Sequence, residues 1–266
     1  MSIFLFLVAL ATSIIGSICG IGGGVIIKPV LDAMNIMSVS AISFLSGCTV
    51  LAMAVVSVAR SIAGKKAKIN LKTTPFLGLG AAAGGVLGKI LFSLIKTAAG
   101  NENLVGLIQA ILLAIVTIGT FMYMSMNNAG KIRTLKLTNP IVSLLIGFVL
   151  GILSSFLGIG GGPMNLAVLA FFFSMDPKEA ATNSLCVILI SQTASLIQTF
   201  STGGMPDIEP IYLVFMCCCG IVGGLLGQQI NQKLDNRHVS KLFNILMIIV
   251  IGVCIYNICR FSFALV

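Results

Sequence analysis

The chain has 266 residues, 58% of them hydrophobic and 9% charged, with a formal net charge of +9 and a mean hydropathy of +1.11. A soluble domain carries about a quarter charged residues, so this composition excludes a soluble globular fold and points to a protein that lives in the bilayer. The positive charge is gathered in short clusters between apolar runs, Lys65, Lys66, Lys68 and Lys72 behind Arg60, and Lys131, Arg133 and Lys136. That pattern reads as membrane topology, short basic loops staying cytoplasmic, and not as a nucleic-acid-binding face.

A window of about twenty residues divides the chain into eight apolar segments: 2–34, 40–62, 73–95, 104–126, 140–174, 181–200, 210–230 and 240–262. Met1 to Leu10 contains no Lys or Arg, and the run continues past Gly20 without a small-residue cleavage site; the first segment therefore reads as mature protein and not as a signal peptide. Lipid offers no hydrogen-bond partners, so each segment must be helical. The first and fifth segments are too long for one span, and each is interrupted by glycines: Gly20-Ile21-Gly22-Gly23-Gly24 and Gly158-Ile159-Gly160-Gly161-Gly162.

This GIGGG string recurs 138 residues apart, and other pairs keep the register: Ser46 with Ser184, Cys48 with Cys186, and, shifted by one, Gly84 to Gly88 with Gly223 to Gly227. The expected fold is all-α, a polytopic bundle of about eight segments in two homologous four-segment repeats, 1–130 and 131–266, forming one membrane domain. The loop after the second segment is basic, whereas its counterpart after the sixth carries Asp207 and Glu209. Opposite charge bias predicts inverted repeats, with segments one and five as re-entrant hairpins and a kinked full span as the alternative.

Glycine breaks inside membrane helices persist where freed backbone lines a cavity or is buried in protein. The half-helix that follows such a break presents unpaired N–H groups and a partial positive charge, and glycine lets a ligand approach them closely. Two such anion sites, one from each half, can meet near the midplane, as they do in repeat transporters; the structural alternative is close helix packing through small residues. Ser46, Asn165, Asn183 and Ser184 are uncharged donors near the two strings and complete the candidate substrate site. Lys28, one turn beyond Gly24, could face the anion, pair with Asp32 or snorkel to the interface. Gln109, Gln192, Gln198 and Asn244 read as interhelical glue. The eight cysteines lack metal or disulfide spacing, and the single histidine, His238, lies in a polar loop; no metal, cofactor or catalytic residue is expected.

The first glycine string with Pro29 and Leu31 behind it, its repetition in the second half and the four-plus-four plan resemble the sulfite exporter TauE/SafE family over essentially the whole chain. Asn183-Ser184-Leu185 is similar to that family's Thr-Ser-Leu stretch. Pro29 has no proline opposite it, Ala167 standing there, while Pro163 follows the second string directly. The resemblance implies a secondary transporter of a small sulfur-containing anion (sulfite, a sulfonate or thiosulfate) working by alternating access as a multi-pass protein of the plasma membrane. Its expected partners are the anion and the lipid bilayer. Direction of transport, coupling ion and oligomeric state stay open at this point, a homodimer included. An anion channel and a membrane-embedded thiol enzyme are the alternatives in other functional classes; the first needs a continuous polar path and the second a base beside a reactive cysteine.

Overall fold

A computed structural model describes residues 2–34, 37–64, 69–128 and 134–265. Lys65, Lys66, Lys68, Lys131 and Arg133 of the basic loops lie outside the described residues. The described residues form ten helices and no strand: α1 (Ser2–Cys19), α2 (Gly24–Met34), α3 (Val39–Ala63), α4 (Thr74–Ala99), α5 (Glu102–Asn128), α6 (Pro140–Leu157), α7 (Gly162–Phe173), α8 (Pro177–Ser201), α9 (Pro210–Lys233) and α10 (Asn236–Phe263). Seven of them are long and apolar enough to cross a membrane. The expected eight segments become ten helices because the first and fifth each divide at their glycine string, into α1–α2 and α6–α7.

Of the seven long helices α3 and α8 are the most enclosed, whereas α4, α9 and α10 turn most of their surface outward. That outward surface is apolar, with Leu79, Ile115, Ile141, Val214 and Ile245 all exposed. Such a girdle is unstable in water but suits a hydrocarbon solvent. The fold is a multi-pass membrane bundle.

Small residues set the packing. In α4, Gly80, Gly84 and Gly88 lie against the carbonyls of Leu144, Phe148 and Ile152, and a Cβ at any of the three would stand 2.0–2.5 Å from the oxygen. In return Gly147 and Gly151 of α6 lie against the carbonyls of Leu77 and Ala81. Helix α9 packs likewise, Gly223 and Gly227 against α1 and Gly220 and Gly224 against α3. Without a hydrophobic drive between helices in lipid, this close backbone approach supplies the attraction. The pairing is the same when the halves are exchanged: α4 packs on α6 and α8, and α9 packs on α1 and α3. Single contacts repeat too. The Ser17 and Ser57 hydroxyls are 2.9 Å apart and those of Ser155 and Ser195 are 2.8 Å apart.

The connections collect at two ends of the bundle. At one end Lys96 of α4 donates to Ser40 of α3 and pairs with Glu102 of α5, close to the α8–α9 connection with Asp207 and Glu209. At the other, Asn70 and Thr74 donate to Asn183, and Lys178 donates to the Leu234 carbonyl. Lys72, Lys233, Arg237 and Lys241 belong to this second end, called the basic end below.

Candidate functional site at the two glycine turns

The α1–α2 segment reverses at its glycines. Gly23 comes to lie beside Ser13 and Gly16 of α1, and Ile27 and Leu31 of α2 share an apolar cluster with Ala9. Two residues of the turn, Gly20 and Gly22, have φ of 74° and 69°, and their counterparts Gly158 and Gly160 have 69° and 77°. An L-residue with a side chain resists this left-handed region, which is why both strings need glycine there. The hydrogen bonds repeat as well: the Ile21 amide donates to the Gly16 carbonyl at 3.0 Å and the Ile159 amide to the Ser154 carbonyl at 3.2 Å. Carbonyls left free near the ends of α1 and α6 are met by side-chain amides, Asn231 donating to Ile18 and Gln109 to Phe156. Gln109 thus joins α5 to α6, as glue should.

The two turns meet. Position Gly24 faces the Ile159 carbonyl of the other turn, and Gly162 faces the Ile21 carbonyl and the Val25 side chain. The N-terminal ends of α2 and α7, with their first-turn N–H groups, therefore converge in the middle of the bundle. Val50 of α3 touches both turns, at Gly22 and Gly160; Ile188 of α8 touches Gly22, and Gln192 touches Gly160.

Polar side chains cluster around this contact with nothing to bond. The Ser46 hydroxyl lies against Gly24, the Asn165 amide against Gly161 and the Ser43 hydroxyl against Gly158. All three residues are buried, as is Ser184, and Ser43 Oγ, Ser46 Oγ, Ser184 Oγ and Asn165 Oδ1 have no hydrogen-bond partner among the described residues. A buried unsatisfied polar group costs about 1–3 kcal/mol, so the three at the turns, on Ser43, Ser46 and Asn165, need a reason. Serine hydroxyls beside two helix N-termini can donate to an oxyanion, whereas the free Asn165 Oδ1 is an acceptor and calls for a donor.

The remaining residues read from the sequence sit apart from this cluster or on its edge. Asn183 accepts from Asn70 at 2.9 Å and from Thr74 at 2.6 Å, and donates to the Glu179 carbonyl; it fastens the α3–α4 connection at the basic end. Lys28 is fully buried and its ammonium lies 2.9 Å from the Asp32 carboxylate, while its aliphatic stem passes close to Gly158. All eight cysteines are free, and His238 is exposed at the start of α10. Among the described residues no three His, Cys, Asp or Glu side chains come together as a metal would require. Four contributors were not singled out in the sequence: Ser43, Val50, Ile188 and Lys89. Lys89 lines a cavity of about 550 Å³ with Ser43. A lysine inside the otherwise uncharged apolar run 73–95 was the signal that could have found it.

The model of the sulfite exporter TauE/SafE family matches residues 5–253. The chain belongs to this family. It is also 23% identical to "Probable membrane transporter protein YunE" of Bacillus subtilis (strain 168), an alignment covering 93% of this chain and 95% of that protein. No solved structure matches. With seven spans of sufficient length and its family, this TauE/SafE member is a multi-pass membrane transporter.

Proposed function

We propose that the protein moves a small sulfur-containing anion, sulfite, a sulfonate or thiosulfate, across the plasma membrane by alternating access, its two halves working as inverted repeats. The observation that carries this reading is the meeting of the two GIGGG turns, Gly24 at the Ile159 carbonyl and Gly162 at the Ile21 carbonyl, beside the buried Ser43 and Ser46 hydroxyls, which have no partners among the described residues. The anion is bound by N–H groups of the two turns, with Ser46, Ser184 and Asn165 as side-chain donors. No fixed cation is needed for a monoanion, whose desolvation costs less than that of a dianion. Inversion is supported by the opposed hairpins. The apolar cluster of α1 and α2 includes Ile208 and Tyr212 from the acidic-loop end. Residues 135 and 137, just before α6, bond to Phe171 and Phe172 of α7 and accompany the basic end. Basic loops on one end orient that end to the cytoplasm.

Flux of sulfite, thiosulfate and methanesulfonate into proteoliposomes, with sulfate and chloride as controls, tests the proposal. Selective flux of a sulfur anion, lost in both Gly22→Leu and Gly160→Leu, is the expected result. Flux that survives both substitutions refutes the turn site, and no flux of any sulfur anion refutes the substrate class.

A further inference from the structure

The cavity of about 550 Å³ lies between α3, α4 and α8 and opens toward the α8–α9 connection, where Gly204, Met205 and Pro206 form its rim. Two lysines face it. Lys96, near the mouth, is neutralised by Glu102 at 2.8 Å. Lys89, two turns deeper on α4, has no carboxylate within ion-pair distance among the described residues. Lys89 is half-buried, and a lone ammonium facing a cavity within a membrane bundle is costly and marks a site or pathway for the opposite charge. Around it the cavity is polar on one side: Ser43, Ser93, Gln198 and Thr199 line the wall. Ser43 joins the cavity to the glycine turns, since its hydroxyl, buried and without a partner, lies against Gly158.

The other half offers a comparison within the same chain. In the repeat register Lys89 falls opposite Gln228 and Thr199 opposite Ser61. At that end Gln228 and Ser61 are both buried and hydrogen-bonded to each other. The matching position thus holds a neutral, hydrogen-bonded side chain where the first half has a lysine.

We propose that Lys89, with Ser43 and Thr199, forms an anion-docking site that gathers the transported oxyanion from the acidic-loop face and hands it to the Gly158 turn. The site deepens the transport reading and rests on it for the identity of the anion. Because Gln228 stands in the matching position, an anion arriving from the basic end meets an amide there in place of the lysine. Apparent affinity is therefore higher from one face than from the other.

Two measurements on the full-length protein test this. Ser93→Cys, one turn beyond Lys89, is introduced into a background with the exposed Cys218 and Cys259 replaced by serine. Its modification by an anionic and a cationic methanethiosulfonate is timed in nanodiscs. A charge about 6 Å away in water changes each rate about threefold, so Lys89→Gln should lower the anionic-to-cationic rate ratio about tenfold while Lys89→Arg keeps it. An unchanged ratio overturns the site, whether or not the protein transports sulfite. In oriented proteoliposomes, Lys89→Gln should raise the half-saturating sulfite concentration from the acidic-loop face at least fivefold and leave the opposite face unchanged. A changed ratio with equal half-saturation from both faces overturns the docking role. A changed ratio in a protein that carries no sulfite leaves the anion site standing and refutes the transport reading instead.

Discussion

A single added carbon at Gly24 should separate the two turns. Its Cβ would stand 2.6 Å from the Ile159 carbonyl oxygen and 2.9 Å from both Ser46 Oγ and a Val50 methyl. The shortest contact is to backbone, which cannot rotate away. Restoring an ordinary carbon–oxygen approach of about 3.3 Å requires the turns to move apart by about 0.7 Å. Donors that together reached one anion at about 2.9 Å would then lie near 3.6 Å on one side, outside hydrogen-bond range. Losing one charge-assisted bond costs about 1.5–3 kcal/mol, or about ten- to a hundredfold in affinity, alongside about 1–3 kcal/mol of overpacking. The assay is the half-saturating sulfite concentration of Gly24→Ala in proteoliposomes, with thermal unfolding in detergent run beside it. Gly119→Ala is the control: nothing lies within 4 Å of a Cβ there, and helix propensity favours alanine by about 1 kcal/mol. A Gly24→Ala protein with wild-type half-saturation would refute a substrate site between the turns.

Two further outcomes are expected. Lys28→Met leaves the Asp32 carboxylate buried and unpaired and should cost about 3–5 kcal/mol of stability, whereas the double variant Lys28→Met with Asp32→Leu should recover most of it in thermal unfolding. Wild-type sulfite flux by the double variant would limit Lys28 to neutralising Asp32, and its loss would give Lys28 a part in anion binding. Single cysteines at Lys72 and at Gly204, both exposed, should react with an impermeant maleimide from opposite sides of the membrane; reaction from one side would exclude the inverted arrangement.

Much of the fold was legible because the bilayer allows so few solutions. Apolar length alone gave the helices, and the overlong runs with GIGGG gave the breaks, since glycine takes φ near 70° at Gly20, Gly22, Gly158 and Gly160 without the steric cost of a side chain. Gly84 to Gly88 and Gly223 to Gly227 were legible as a repeat match, but their close packing against neighbouring helices was not. What periodicity cannot carry is partner choice. Asn183 looks like a donor near the second string, yet its oxygen is taken by Asn70 and Thr74, more than a hundred residues away in sequence. Val50 is one apolar residue in an apolar helix, and only the fold brings it against both turns. Lys89 was legible by charge but not by position, because a lysine near a helix end can reach the interface, and its depth depends on how α4 packs. The Lys28–Asp32 pair lies at the spacing that the helix makes neighbours, and it was among the readings the sequence left open.

The contact between α4 and α6 has a mechanical consequence. Interlocked side chains resist sliding because each knob must leave its hole before entering the next. Here the opposing surfaces are glycine and carbonyl, repeated every fourth residue at 80, 84 and 88 against 144, 148 and 152. A translation of four residues, about 6 Å, would bring Gly84 opposite the carbonyl that Gly80 now faces. The glycine row therefore ends in a stop, since that step would also bring Phe92 to the Ile152 carbonyl that Gly88 now faces, and it holds α4 and α6 in a single register.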